Sequence, residues 1–87
     1  MKELVPLVET VESKIRQLLD DSFGVNEDDV TSNSLLMDDL GLDSLDHSEL
    51  FIDVEGKFNL PETDPDVQDA VKTFQQLVAF VEKRRAQ

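Results

Sequence analysis

Apolar side chains recur at helical spacing in three stretches of the chain. Val8, Val11, Ile15, Leu18 and Leu19 fall on one helical face. They predict a first helix over about residues 5–22, with Pro6 in the first turn, where its missing N–H is not needed. It ends near Ser22 or Phe23, before Gly24, and Lys14 and Arg16 lie outside the apolar face. We read it as core scaffold without separate chemistry. A second pattern over about 44–58 splits into two faces at 100° per residue. His47, Leu50, Phe51, Val54 and Phe58 fall on the side assigned to the core. Leu45, Ser48, Glu49, Ile52 and Gly56 fall opposite, with Asp46 and Asp53 at the edge. Thr73-Phe74-Gln75-Gln76 matches a capping box and opens a helix over about 74–85, whose apolar face is Phe74, Leu77, Val78 and Val81. Lys83, Arg84 and Arg85 suit its C-terminal dipole.

Between these patterns lie two connections. Asp64 as N-cap and Pro65 at the first helical position predict a short helix over about 65–71. Residues 24–43 show no period and are rich in turn formers, with Thr31, Ser32, Asn33 and Ser34 consecutive. A loop of this length needs anchors in the core, and Val25, Val30, Leu35, Leu36 and Leu40 are placed to supply them. The expectation is an all-α bundle with one domain over 1–87: three longer helices, a short third helix and a long first loop. No internal repeat or low-complexity segment interrupts it.

A chain of 87 residues buries roughly 60–65 % of its unfolded surface, which leaves little room for an enclosed active site. There is no cysteine, hence no disulfide framework or thiolate zinc site, and any thiol chemistry must come from an attached group. The chain shows neither a secretory leader nor an apolar run of membrane-spanning length, and it reads as cytoplasmic. Net charge is −12, unevenly placed. From Asp20 through Asp69 sixteen acids face Lys57 alone, while the two ends together hold four acids and seven bases. Such a field repels nucleic acid and anionic membrane, and steers basic partner surfaces to the middle of the chain. A calcium loop of the EF-hand kind needs Asp five residues before its glycine. For Gly24, Gly41 and Gly56 those positions are Leu19, Leu36 and Phe51, so that reading fails.

The chemistry concentrates at 38–50. Gly41 turns the chain, Asp43 is a good N-cap, and Asp46 stands where the acid of a capping box would be. Ser44 then lies in the first helical turn with its hydroxyl free. The only histidine, His47, is three residues away on a side assigned to the core, and no oxyanion hole or cleft is in view, so Ser44 is not a hydrolase nucleophile. Leu45 and Ile52, apolar and ringed by carboxylates, look like a docking stripe.

Asp39-Leu40-Gly41-Leu42-Asp43-Ser44-Leu45-Asp46, followed by Glu49-Leu50, resembles the modification site of acyl carrier proteins, and the resemblance runs from about Leu4 to Val81. It implies a four-helix bundle of acyl-carrier type that is a carrier and not an enzyme. A phosphopantetheinyl transferase would attach 4′-phosphopantetheine from coenzyme A to Ser44, flanked by Asp43 and Leu45. Acyl groups would ride on its thiol as thioesters, as in fatty-acid, polyketide or related lipid synthesis. Asp38, Asp43, Asp46, Ser48, Glu49, Ile52, Asp53 and Glu55 would form the surface read by acyl-transfer and chain-elongation enzymes with basic docking faces. His47, Leu50, Phe51, Val54 and Phe58 would line an acyl cavity. No metal site, nucleic-acid contact or membrane insertion is expected, and the chain reads as a monomer.

Two other readings share these residues: an aminoacyl carrier (D-alanyl or peptidyl), and an unmodified acidic interaction module. The sequence also departs from the family pattern. His47 and Ser48 stand at the usual Thr and Val positions, Gly56 and Lys57 where acids are usual, and the Pro61–Pro65 segment replaces Ile-Pro-Asp-Glu. These changes gather on the expected partner surface and point to a specialised carrier. His47 reads either as a histidine at the core edge or as a group facing the prosthetic arm or cavity mouth.

Overall fold

Four helices are fixed largely by their ends in a computed structural model that describes residues 10–85. The first, α1, spans Val11–Phe23. Thr10 is its N-cap in extended backbone, and Thr10 Oγ1 accepts the Ser13 N–H at 3.0 Å. That geometry starts the described helix at Val11, later than the expected residue 5; Pro6 and Val8 lie outside the described residues. Gly24 closes α1 at φ 69°, and its N–H and that of Val25 return to Asp20 O and Leu19 O, which satisfies two terminal carbonyls.

The second helix, α2, spans Ser44–Phe58 and ends on Asn59 in the left-handed region at φ 56°, a position that Asn tolerates. The six-residue α3, Pro65–Ala70, begins at Pro65 after Asp64, but the Asp64 side chain makes no cap hydrogen bond. The expected end at residue 71 falls one residue later than observed: Val71 has extended backbone and is buried. The last helix, α4, spans Phe74–Arg85. Its capping box is reciprocal, with Gln76 N donating to Thr73 Oγ1 and Thr73 N donating to Gln76 Oε1, both at 3.1 Å.

Helix α1 packs against α2 and α4, and α3 packs on α2. Ile15, Leu19, Leu36, Leu50, Phe51, Val54, Phe74, Leu77 and Val81 are fully enclosed between them. The assigned faces of α1, α2 and α4 are therefore the ones that meet, with Val78 and Phe58 at the margin. No strand forms among the described residues beyond one isolated antiparallel bridge, Leu35 to Thr73. The fold is an all-α bundle of the expected kind.

Loop 24–43 carries more structure than its sequence suggests. A single 3-10 turn, Glu27–Asp29, is capped by Asn26. Val25, Val30, Leu36 and Leu42 are buried, and Leu40 is partly buried against them. Leu35 was expected to anchor the loop but is 37 % exposed, while Leu42, assigned no role, is enclosed. The bridge explains the first difference: in extended backbone neighbouring side chains point oppositely, so burying Leu36 turns Leu35 out. Backbone bonds tie this stretch to the start of α4: Leu36 N to Lys72 O, Phe74 N to Ser34 O, and Gln75 N to Ser32 O, at 2.9–3.0 Å. Arg16, outside the apolar face of α1, completes the attachment. Its guanidinium donates to the carbonyls of Glu27 and Val30, pairs with Glu12 at 3.1 Å, and lies 4.9 Å from the Phe74 ring centroid.

Candidate functional site

The site is built at the N-terminus of α2. Ahead of it, Leu35 N donates to Asp39 Oδ2 at 2.7 Å, and the amides of Asp39 and Leu40 return to Leu35 O. Gly41 then turns the chain at φ 77°, a conformation costly for a residue with a Cβ. Asp43 follows in extended backbone as N-cap. Its Oδ1 accepts the Asp46 N–H at 2.8 Å, and Asp46 Oδ2 accepts the Asp43 N–H at 3.3 Å. The capping duties thus fall on two aspartates. Ser44 is the first helical residue, exposed, with its hydroxyl outside this network.

One turn on, His47 is only 5 % exposed. Its Nε2 lies 3.0 Å from Val71 O. A carbonyl oxygen can only accept, so Nε2 carries the ring proton. The ring also packs at a tilt on Phe51, centroids 5.3 Å apart. A pocket of about 210 Å³ opens beside it, lined by Leu35, Met37, Asp38, His47, Asp69, Val71 and Lys72. Residues three apart on a helix are neighbours, so the pocket wall formed by His47 lies next to Ser44.

Of the side chains expected to line a cavity, His47 alone reaches this pocket. Leu50, Phe51 and Val54 are enclosed in the core, and Phe58 is half-buried with the Arg85 guanidinium 5.6 Å from its ring centroid. Of the other pocket residues, Asp38 was expected on the partner surface and Leu35 among the loop anchors, and none was expected at a pocket, because 35–38 and 69–72 meet only through the bridge between the loop and α4. Alternation at 35–37 was the available signal: Leu36 inward leaves Leu35 and Met37 outward.

The outer face of α2 is open. Leu45 is 66 % and Ile52 63 % exposed. Ser48 and Glu49 are exposed beside them, and Asp46 and Asp53 lie half-buried at the rim. Asp38 and Asp43 are exposed ahead of the helix. Glu55 differs from the rest of this row. Its Oε2 accepts the Thr63 N–H at 2.8 Å, so this carboxylate holds the α2–α3 connection. No group of three or more His, Cys, Asp or Glu side chains is placed to hold a metal ion among the described residues. No helix of the described residues is long and apolar enough to cross a membrane.

A family profile described as the phosphopantetheine attachment site matches residues 13–81. The chain belongs to this family. Three curated relatives, each named acyl carrier protein, match over most of their length. That of Thermotoga maritima is 36 % identical over 76 residues, 87 % of this chain and 93 % of the relative. That of Solidesulfovibrio magneticus is 33 % identical over 78 residues, 90 % of this chain and 99 % of the relative. That of Akkermansia muciniphila is 34 % identical over 74 residues, 85 % and 91 % of the two chains. The prosthetic group of this family is covalent 4′-phosphopantetheine. The residues fit it: an exposed hydroxyl at a helix N-terminus favours a phosphodiester anion, and a pocket with apolar and polar walls lies alongside.

Proposed function

We propose that the protein is an acyl carrier whose prosthetic group is joined to Ser44 Oγ, and that it works as a cytoplasmic monomer. The observation that supports this most is the position of Ser44. It is an exposed hydroxyl immediately after a reciprocal capping box, in a chain whose family is defined by phosphopantetheine attachment. The chain itself catalyses nothing. It is the acceptor in a phosphoryl transfer performed by a phosphopantetheinyl transferase, whose magnesium neutralises charge in the transition state.

When bound, the arm supplies the thiol that the sequence lacks. The chain's own residues then do three things. The capping box holds Ser44 at a fixed place on α2. The pocket between α2 and the α3–α4 junction offers the arm a wall. The α2 face offers partners a surface of Leu45, Ser48, Glu49 and Ile52, with Asp38, Asp43, Asp46 and Asp53 around it. Carboxylates of this kind speed encounter with basic enzymes more than they tighten the complex, which suits a carrier that must be released after each transfer. Tethering the cargo raises its effective concentration at each partner. The departures at Ser48, Gly56 and Lys57 lie on or next to this surface, and that at His47 lines the pocket behind it; we read them as marks of a dedicated partner set.

The test is intact mass after incubation with coenzyme A, magnesium and a broad-specificity phosphopantetheinyl transferase, run beside Ser44→Ala. The expected result is a gain of one phosphopantetheine on the wild type alone. No gain on the wild type, with a standard carrier modified in the same tube, overturns the assignment.

A further inference from the structure

The end of the bundle away from Ser44 carries the opposite charge to the rest of the chain. Residues 56–58 and 80–85 hold four cations, Lys57, Lys83, Arg84 and Arg85, and one carboxylate, Glu82. The two stretches meet in space. The Arg85 guanidinium of α4 lies over the Phe58 ring of α2, 5.6 Å from its centroid. Arg84 lies over Phe80 at 5.0 Å, and Phe80 is itself seated edge-on against the enclosed Phe51, centroids 5.4 Å apart. Lys57, Lys83 and Arg85 are exposed, and Arg84 is half-buried. The dipoles of α2 and α4 account for a cation in each last turn. They do not account for two guanidinia laid on rings, which restricts their motion and keeps their N–H edges for an oxygen acceptor. Donors ordered in advance cost less to order on binding.

We propose that this cationic end is a second protein-docking contact, and that it takes an acidic segment of the partner that docks on the α2 face. This rests on the partner-facing reading of α2. Along that helix the charge is negative through Asp43, Asp46, Glu49 and Asp53, lapses at Gly56, and turns positive at Lys57. Lys57 stands 13 residues beyond Ser44, about 20 Å along the axis. That exceeds twice the Debye length of ~8 Å at physiological salt, so the two signs are read separately. A partner laid along α2 needs basic groups near Ser44 and acidic ones near Lys57. The reversal also fixes direction: turned end for end, the carrier meets like charge at both contacts. An anionic membrane fits less well. It has one sign over its whole plane, so it also faces Glu82 and Asp53, the latter one turn from Lys57, whereas an acidic segment can match the four cations alone.

The experiment titrates the ¹⁵N-labelled full chain at low salt with acetylated hexaglutamate and, separately, with hexalysine, following the backbone amides. Hexaglutamate should move the amides of 57–58 and 80–85 and leave 43–53 in place. Hexalysine should do the reverse. A double variant, Lys57→Glu with Arg85→Glu, changes two exposed positions, and its own amide spectrum verifies the fold. It should weaken the hexaglutamate response about tenfold and keep the hexalysine shifts at 43–53. Absence of hexaglutamate shifts at 57–58 and 80–85 overturns the proposal, as does an undiminished response in the double variant. Flotation with phosphatidylglycerol vesicles in place of a hexaglutamate response also overturns it, and assigns this end to lipid. None of these readings uses the arm, so a missing mass gain on Ser44 strikes the carrier assignment alone.

Discussion

Helices α2 and α4 begin with the same device and put it to opposite uses. Each opens with a reciprocal capping box, Asp43 with Asp46 in one and Thr73 with Gln76 in the other. The residue after the cap is an exposed serine in α2 and an enclosed phenylalanine in α4. In α4 the box drives Phe74 into the core beneath the Arg16 guanidinium. In α2 it leaves Ser44 standing outside with nothing to hold. A cap fixes where a helix starts and how its first turn faces. The side chain placed next, and what packs around it, decides whether that turn is foundation or working surface.

Exchanging the first residues would expose the difference most sharply. Ser44→Ala should abolish phosphopantetheine transfer completely while shifting the urea midpoint little, since exposed substitutions usually stay within about 0.5 kcal/mol. Phe74→Ala should do the reverse. It should cost about 3–5 kcal/mol in urea unfolding, and the protein that remains folded should still accept the arm. The caps come next. Asp43→Ala and Thr73→Ala should each lose about 1 kcal/mol, but only Asp43→Ala should slow modification in a time course followed by mass. Equal slowing by both would show that transfer senses global stability and not the local frame.

The smallest effect concerns Gly56, in the last turns of α2. A Cβ built there meets nothing within 4 Å, and its backbone is ordinary helix. Gly56→Ala should therefore raise thermal stability by about 0.5–1 kcal/mol. It should also leave modification of Ser44 unchanged, because it lies three turns away.

The legible parts of this molecule are those governed by local rules. Periodicity separated the inner and outer faces of α2, down to Leu45 and Ile52 outside and Leu50, Phe51 and Val54 inside. Cap chemistry placed the starts of α2 and α4 to the residue. The start of α1 was less legible, because apolar spacing continues upstream of Thr10 while the Thr10 side-chain oxygen caps the described helix at Val11. What remained illegible depends on segments far apart in sequence. The inversion of Leu35 and Leu42 and the reach of Arg16 follow from where the loop meets other elements, and the diversion of Glu55 to Thr63 from how the α2–α3 connection folds back. The pocket is the same case: its residues come from the loop, α2 and the α3–α4 junction, and no local pattern in any of them announces the other two. The end of α2 at Phe58 belongs with the legible parts, since an Asn just beyond a helix, here Asn59, is a recognised left-handed terminator.

The amides of Leu36, Phe74 and Gln75 carry one last consequence, since each bonds across the seam between the long loop and α4. An aperiodic loop ordinarily exchanges its protons with solvent through small local openings. Here those protons are released only if the loop peels off α4, which means also extracting Val30, Leu36 and Leu42 and undoing the grip of Arg16. Native-state hydrogen exchange should place these three amides in the slow class with the helix cores. The chain leading to Ser44 is then a stiff mount, and with the arm attached there as proposed, the mobility a shuttle needs would reside beyond the serine.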